Sequence, residues 1–169
     1  LASPLRDVYK RQVQEAMTVN PRGASFGRFA SIGAWMAGCQ GEAPPRPIKA
    51  ARIVVFAGDH GIAERGVSAF TPEASIVQAE EILSGAAPVN TLAQYANASV
   101  NLVDVSLNHE AAAIRAGSGP IDVADAMTQE EFLAAAELGA ATADREIDSG
   151  VDVLIAGDLG VCLLYTSLS

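Results

Sequence analysis

Three short apolar segments alternate with longer segments of helical periodicity along this chain. The apolar segments span residues 52–57 (RIVVFA), 100–105 (VNLVDV) and 151–156 (VDVLIA). Segments of this length and composition are typical of parallel strands that are buried on both faces of a sheet. Because strands separated by helices pair in parallel through right-handed crossovers, the sequence predicts an α/β fold with a Rossmann-like parallel sheet flanked by helices.

Capping residues indicate two helices between the first and second strands. Thr71, Pro72 and Glu73 supply a capping hydroxyl, a preset φ angle and a negative charge near the helix dipole, so a helix is predicted to begin there. Gly85 is expected to end this helix. A second helix is predicted over residues 88–96, because its apolar residues fall on one face.

One further helix is predicted before the first strand and another before the third. Thr128 and Glu131 form a capping box that opens an alanine-rich helix, which Gly150 is expected to end. A helix over residues 25–40 is indicated by apolar residues at helical spacing, and Cys39 is interpreted as a small core residue of this helix. The residues that define its predicted apolar face are Phe26, Phe29, Ala30, Gly33, Met36 and Ala37.

The two ends of the chain lack these patterns. Residues 1–12 (LASPLRDVYKRQ) show no clear periodicity, and residues 162–169 (CLLYTSLS) stand where a turn rich in Gly, Asn and Thr is expected after a buried strand. Both resemble translated adaptor or vector sequence and are expected to be foreign to the domain. The domain is therefore predicted over residues 13–161, with its sheet incomplete at the C-terminus.

Composition and charge limit the partners. The 169 residues suffice for one domain with a hydrophobic core, and the net charge of −9 argues against a nucleic-acid surface. A small anion remains possible, since backbone N–H groups can hold it. With no signal peptide and no apolar run of about 20 residues, a cytoplasmic protein without membrane contact is expected.

No metal or cofactor is expected. His60 and His109 are the two histidines and follow different strands, while Cys39 and Cys162 share no metal-ligand spacing. A metal-hydrolase interpretation of the Asp-His-Gly sequence needs three or four convergent ligands, which these residues do not supply. A disulfide has no support beyond the number of cysteines.

The first strand leads directly into the sequence Ala-Gly-Asp-His-Gly. In open α/β sheets the ligand crevice lies beyond the carboxyl ends of the strands. Gly58 and Gly61 allow close approach of a ligand to the backbone, and Asp59 and His60 offer a carboxylate and an imidazole at the sheet edge. Alternatively, Asp59 caps the loop and His60 bonds to backbone.

A second polar loop, at residues 157–160 (GDLG), is predicted after the third strand. Asp158 is placed at the tip of a buried strand, where a carboxylate is costly without a role or a partner. Alternatively, it caps a following helix. Residues 117–119 form another glycine cluster without a dinucleotide-binding register, and the adjacent Arg115 is either an anion ligand or a surface residue.

Several ordered segments carry a resemblance to a known family. They include VVFAGDHG, GVSAFTPEASIVQ, LSGAAPVNTL, RAGSG, AMTQEE and GDLG, together with the entry segment FGRFASIGAWMAGCQG. In this order they resemble the nicotinate-nucleotide–dimethylbenzimidazole phosphoribosyltransferase family over residues 17–161. The resemblance implies transfer of phosphoribose from nicotinate mononucleotide to 5,6-dimethylbenzimidazole, in the synthesis of the cobalamin nucleotide loop, by a homodimeric enzyme.

The resemblance also implies roles for individual residues. Gln78, which the sequence alone leaves either at the crevice or in solvent, matches a residue of the benzimidazole pocket, and Phe70 stands where some members have a serine. Asp158 replaces a glutamate beside the nicotinate mononucleotide and is assigned a supporting catalytic role. The implied substrate-binding residues are Asp59, His60, Gly61, Phe70, Gln78, Gly157 and Gly160.

The sequence differs from the family in one important respect. The family's glutamate general base lies in a second half of the protein, which this sequence does not contain. The chain alone is therefore expected to be inactive. The rival interpretation is a non-catalytic nucleotide-binding module that uses the same loops. A dehydrogenase is disfavoured, because the first strand-to-helix turn lacks the dinucleotide fingerprint.

Overall fold

A computed structural model describes residues 4–161 and divides the chain into two compact units. The first unit extends to Ile48 and the second begins at Lys49. Within the described residues, every helix is too short or too polar to cross a membrane. The predicted foreign segment at residues 162–169 lies outside the described residues.

The first unit is a helical pair. Helix α1 covers Pro4–Val19 and helix α2 covers Arg28–Gln40, with a short 3-10 turn between them. Residues 4–12, which show no clear periodicity in the sequence, therefore lie within helix α1. Tyr9, Val13 and Met17 are spaced four residues apart and pack on α2 from one face of α1, a sparse stripe of apolar residues within a polar helix.

The predicted apolar face of α2 is wrong in part. Its buried residues are Ala34, Ala37 and Gly38, whereas Phe29 is 75% exposed and Cys39 is exposed rather than in the core. Small side chains face α1 because they let the two helices approach closely. A Cβ atom at Gly38 would lie 2.8 Å from the Lys10 side chain, so the large apolar residues are turned away from this contact.

The second unit is an α/β sheet, which confirms the predicted fold class. Its central strand β1 pairs in parallel with β2 on one side and β3 on the other, so the strand order is β2-β1-β3. Its elements in chain order are β1 (Ala51–Gly58), a 3-10 turn (Gly61–Arg65), α3 (Ala74–Ser84), α4 (Pro88–Tyr95), β2 (Ala98–Ser106), α5 (Gln129–Asp148) and β3 (Val153–Leu159).

The start of α3 lies later than the sequence predicts. The carbonyl of Thr71, the predicted cap, instead accepts a hydrogen bond from the N–H of Ala74 in a turn, and Glu73 occupies the N-cap position. Hydrogen bonds from its own backbone and from the Thr71 hydroxyl lower the pKa of Glu73. The predicted end is confirmed, since Gly85 adopts a left-handed conformation with φ of 83°.

The capping box of α5 is confirmed. The N–H of Glu131 donates to Thr128 Oγ1 at 3.2 Å, and the N–H of Thr128 donates to Glu131 Oε2 at 2.7 Å. These reciprocal bonds satisfy two backbone donors at the helix start. The helix ends at Asp148, and Gly150 follows with φ of 85°, as predicted.

The two faces of the sheet are covered differently. On one face, Ala57 of β1 packs with Ala79 of α3 and with Leu107, which follows β2. A polar contact joins the sheet to α5, where the buried carboxylate of Glu146 lies 3.3 Å from Arg52 Nε of β1. Helices therefore cover both faces of the sheet, and the loops lie at the carboxyl ends of the strands.

Strand β3 is not the buried strand that its apolar sequence predicts. Among the described residues it pairs with β1 alone, and Leu154 and Ile155 are 39% and 46% exposed. Within residues 4–161, its second edge therefore presents unpaired backbone groups beside apolar side chains. An edge of this kind can pair with another copy of the chain.

We expect the chain to self-associate through this edge. Ile155→Lys should reduce the associated fraction in sedimentation velocity, because a charged side chain on an edge strand opposes strand pairing. Val77→Lys removes a similarly exposed apolar residue from α3 and serves as the control. A wild-type chain that sediments as a monomer at every concentration would contradict the expectation.

Candidate functional site

The loops that follow β1 and β2 are joined into one structure at the carboxyl edge of the sheet. The N–H of Asp59 donates to the carbonyl of Ser106 at 2.9 Å, and the N–H of Ser118 donates to the carbonyl of Asp59 at 2.9 Å. The N–H of Gly61 donates in turn to the carbonyl of Ser118 at 3.1 Å. The glycine cluster at residues 117–119 is therefore the partner of the first loop, a pairing that the sequence does not reveal.

Asp59 lies at the centre of this junction. The residue is only 6% exposed, and its Oδ2 atom accepts a hydrogen bond of 2.9 Å from the N–H of Asn108. Asp59 thus has the loop-capping role that the sequence offered as one alternative, although it caps the loop after β2 rather than its own. Its Oδ1 atom is buried without a hydrogen-bond partner among the described residues.

Glycines allow the loops to meet. A Cβ atom at Gly61 would lie 2.6 Å from the carbonyl oxygen of Ser118, and one at Gly160 would clash with the carbonyl oxygen of Gly58. The same Cβ at Gly160 would be 3.3 Å from the His60 ring. The loop containing Gly160 therefore packs directly on the Asp-His-Gly loop, as expected for neighbouring parallel strands.

Asp158 is placed differently from the prediction. Strand β3 extends to Leu159, so Gly157 and Asp158 lie within the strand, and Asp158 is opposite Phe56 of β1. The carboxylate is exposed rather than buried at a strand tip. Because β3 is an edge strand in the described structure, the acid keeps its hydration and needs no buried partner.

The residues implied for the base pocket lie before and within α3. Phe70 is 57% exposed in the turn that precedes the helix, and Gln78 is half-buried within it. Their roles in binding a base stay predictions. Sequence reasoning missed Ser75, a completely buried residue whose Oγ accepts a hydrogen bond of 3.0 Å from the N–H of Val161. This contact fixes the end of β3 against the first turn of α3.

A small pocket lies between the joined loops. Its volume is about 100 Å³. It includes side chains that the sequence did not single out, notably Glu64 and Asn108, because they come from the 3-10 turn and from the loop after β2. The full lining is Asp59, His60, Gly61, Glu64, Pro72, Asn108, Ala116, Gly117 and Ser118.

Arg115 is not an open anion ligand. Its Nη1 atom donates to both carboxylate oxygens of Glu131, at 3.1 and 3.2 Å. The pKa of Glu131 is lowered first by the hydrogen bond from the backbone of Thr128 and then by this arginine. Arg115 therefore connects the glycine cluster to the start of α5, so it is also not the free surface residue of the other alternative.

His109 has both ring nitrogens engaged. Its Nε2 atom lies 2.6 Å from Asp104 Oδ2, and its Nδ1 atom accepts a hydrogen bond of 3.2 Å from the N–H of Ala111. These two contacts hold the imidazole ring within the loop after β2, so neither ring nitrogen is free to bind a ligand. Throughout residues 4–161, no three His, Cys, Asp or Glu side chains are grouped so that they could hold a metal ion.

Comparison with known proteins gives consistent matches. Residues 3–167 match a family model described as phosphoribosyltransferase. A nicotinate-nucleotide–dimethylbenzimidazole phosphoribosyltransferase from Corynebacterium efficiens is 49% identical over 154 residues, covering 89% of this chain and 41% of the relative. The enzyme of the same name from Mycobacterium ulcerans is 44% identical over 164 residues, covering 93% and 45%.

Solved structures agree. The structure of nicotinate-nucleotide–dimethylbenzimidazole phosphoribosyltransferase from Thermus thermophilus superposes with a TM-score of 0.83 at 29% identity, covering 91% of this chain and 49% of that one. The chain thus spans somewhat less than half the length of the relatives that it matches. Since the family model covers nearly every residue, the chain belongs to this phosphoribosyltransferase family.

Proposed function

We propose that the chain forms part of an enzyme that moves phosphoribose from nicotinate mononucleotide to 5,6-dimethylbenzimidazole, giving α-ribazole 5′-phosphate and nicotinate. The names of the relatives support these substrates. The observation that carries the proposal is the convergence of the loops around Asp59, Ser118 and Gly160 at one edge of the sheet. This is the edge where open α/β sheets bind nucleotides.

The chemistry suits such a crevice. A nitrogen of the benzimidazole attacks the anomeric carbon, and the bond from that carbon to the pyridinium nitrogen breaks. The electron pair leaves with the nicotinate, and the benzimidazole loses its N–H proton to a base. Positive charge develops on the ribose in between, so correct positioning and nearby carboxylates supply much of the rate enhancement.

Two groups of residues are proposed to divide this work. Asp158, exposed close to Gly160, is proposed to face the ribose of nicotinate mononucleotide as nicotinate departs, and Gly157 and Gly160 to border the same substrate. Gln78 and Phe70 are proposed to line the benzimidazole site, as the family resemblance implies. A cytoplasmic homodimer is proposed for the whole enzyme, with residues 13–161 as the N-terminal part of its domain.

A graft tests the proposed function. Residues 13–161 replace the aligned part of the Corynebacterium efficiens enzyme, and α-ribazole phosphate is measured by chromatography. We expect the graft to form product from nicotinate mononucleotide and 5,6-dimethylbenzimidazole. The 169-residue chain alone should form none, because the resemblance places the general base outside it.

The parent C. efficiens enzyme and the same enzyme lacking the grafted region are the positive and negative controls. A folded graft that binds nicotinate mononucleotide without transfer would favour the nucleotide-binding module. Product formed by the 169-residue chain alone would show that its own residues supply the base.

A further inference from the structure

Helix α5 has an arginine–glutamate pair near each of its ends. Near its C-terminus, the buried Glu146 lies 3.3 Å from Arg52 Nε of β1. Near its N-terminus, Glu131 lies 3.1 Å from Arg115, and these two side chains keep 25% and 33% of their surface exposed. The first pair joins the helix to a strand, whereas the second joins it to the loop after β2, at the edge of the sheet that carries the proposed site.

The glycine cluster that follows Arg115 is bonded to the Asp-His-Gly loop through both backbone groups of Ser118. The N–H of Ser118 donates to the carbonyl of Asp59 at 2.9 Å, and its carbonyl accepts from the N–H of Gly61 at 3.1 Å. Gly160 packs on the same loop, since a Cβ atom at this residue would meet the His60 ring at 3.3 Å. A displacement of the glycine cluster would therefore displace the loop on which Gly160 packs.

The contact between Arg115 and Glu131 fixes the start of this cluster. Arg115 Nη1 donates to both carboxylate oxygens of Glu131, at 3.1 and 3.2 Å, across 16 positions of the chain. Glu131 is itself held by its capping box with Thr128. Since partly exposed ion pairs contribute little to stability, this pair is better suited to fixing the position of the cluster than to stabilising the fold.

We propose that Arg115 and Glu131 are positioning residues of the transferase, which hold the glycine cluster at the start of α5 and thereby set the place of the Asp-His-Gly loop. The proposal rests on the proposed function and adds two residues that act without contacting the reacting atoms. A misplacement of about 1 Å, caused far from the chemistry, can lower a rate about a hundredfold. Loosening this contact should therefore lower kcat.

Two substitutions remove the contact from opposite sides and leave the helix cap in place. Arg115→Met removes the charge and keeps an unbranched aliphatic side chain, and Glu131→Gln keeps the capping box, which glutamine also forms. Each should lower the kcat of the graft about tenfold, as expected for a partial misplacement. The double variant should be no slower than the slower single variant, because both substitutions break the same contact.

A conservative variant and a matched control separate positioning from stability. Arg115→Lys should recover most of the lost rate, because one nitrogen atom makes both bonds and an ammonium group can replace it. Glu146→Gln, at the other end of α5, should lower the urea-denaturation midpoint more than Arg115→Met and leave kcat unchanged. If Arg115 acted through stability alone, Glu146→Gln would be the slower variant.

The outcomes distinguish the proposal from the proposed function. An active graft that keeps its kcat in Arg115→Met, or in which the two single losses multiply in the double variant, would overturn the positioning role while the function stands. If the graft is inactive, the function fails, and amide hydrogen exchange of the 169-residue chain tests the contact. Arg115→Met should then accelerate exchange at Ser118 and Gly61 and leave Asp152, near the start of β3, unchanged. Exchange equal to that of the wild-type chain at all three amides would reject the positioning role.

Discussion

Glu146→Ala is expected to lower the free energy of unfolding by about 3 kcal/mol, the lower end of the range for breaking a buried ion pair. Glu146 is 5% exposed, its Oε2 atom lies 3.3 Å from Arg52 Nε, and its Oε1 atom accepts a 3.3 Å hydrogen bond from Asn101. Truncation leaves Asn101 without its acceptor and Arg52 without its counter-ion under α5. Water compensates Arg52 only in part, because its side chain retains 30% exposure whereas the Nε atom itself is buried.

The measurement is urea denaturation of the dilute chain followed by circular dichroism. Glu137→Ala is the control, because Glu137 is an exposed glutamate of the same helix and its loss should change stability by less than about 0.5 kcal/mol. Glu146→Gln should fall in between, since it keeps an acceptor for Asn101 and removes the charge opposite Arg52. Equal stability of Glu146→Ala and Glu137→Ala would show that the buried network does not hold α5 on the sheet.

The elements of the α/β unit were predictable because local signals determine them. Continuous apolar runs identified the three strands, and the capping box at Thr128 and the glycine at residue 85 marked helix ends through bonds between near neighbours. The N-terminal helix was missed because its apolar stripe is narrow, with Val13 as its single buried residue among the described ones. The buried face of α2 was missed because close approach of α1 favours alanine and glycine over the larger apolar residues.

The candidate site was only partly predictable. The placement of Asp59 and Gly160 at the carboxyl edge follows from parallel strands alone. The partnership of Asp59 with Asn108 and Ser118 joins residues about 50 to 60 positions apart, and no local pattern records such a contact. The exposure of Asp158 depends on which strands flank β3, and an apolar strand sequence cannot distinguish a central strand from an edge strand whose side chains remain accessible.

In the active graft, Asp158→Asn is expected to lower kcat about a hundredfold and to change the KM for nicotinate mononucleotide much less. As nicotinate departs, positive charge builds on the ribose, and a carboxylate stabilises this charge whereas an amide of the same shape does not. Losing one positioned electrostatic contact costs about 3 kcal/mol in the transition state, which corresponds to about a hundredfold in rate. The hydrogen bonds made to the bound substrate are retained in part, so ground-state binding is largely preserved.

Steady-state rates of α-ribazole phosphate formation measure this effect, and Asp144→Asn, an exposed acid of α5, is the control for a change in net charge. The division between kcat and KM is informative because Asp158 lies in solvent along β3, so its substitution should not disturb packing. A fall in kcat with unchanged stability would therefore report charge stabilisation rather than misfolding. If the variant keeps the kcat of the graft, Asp158 is a hydrated residue of an edge strand, and the charge on the ribose is stabilised by other groups.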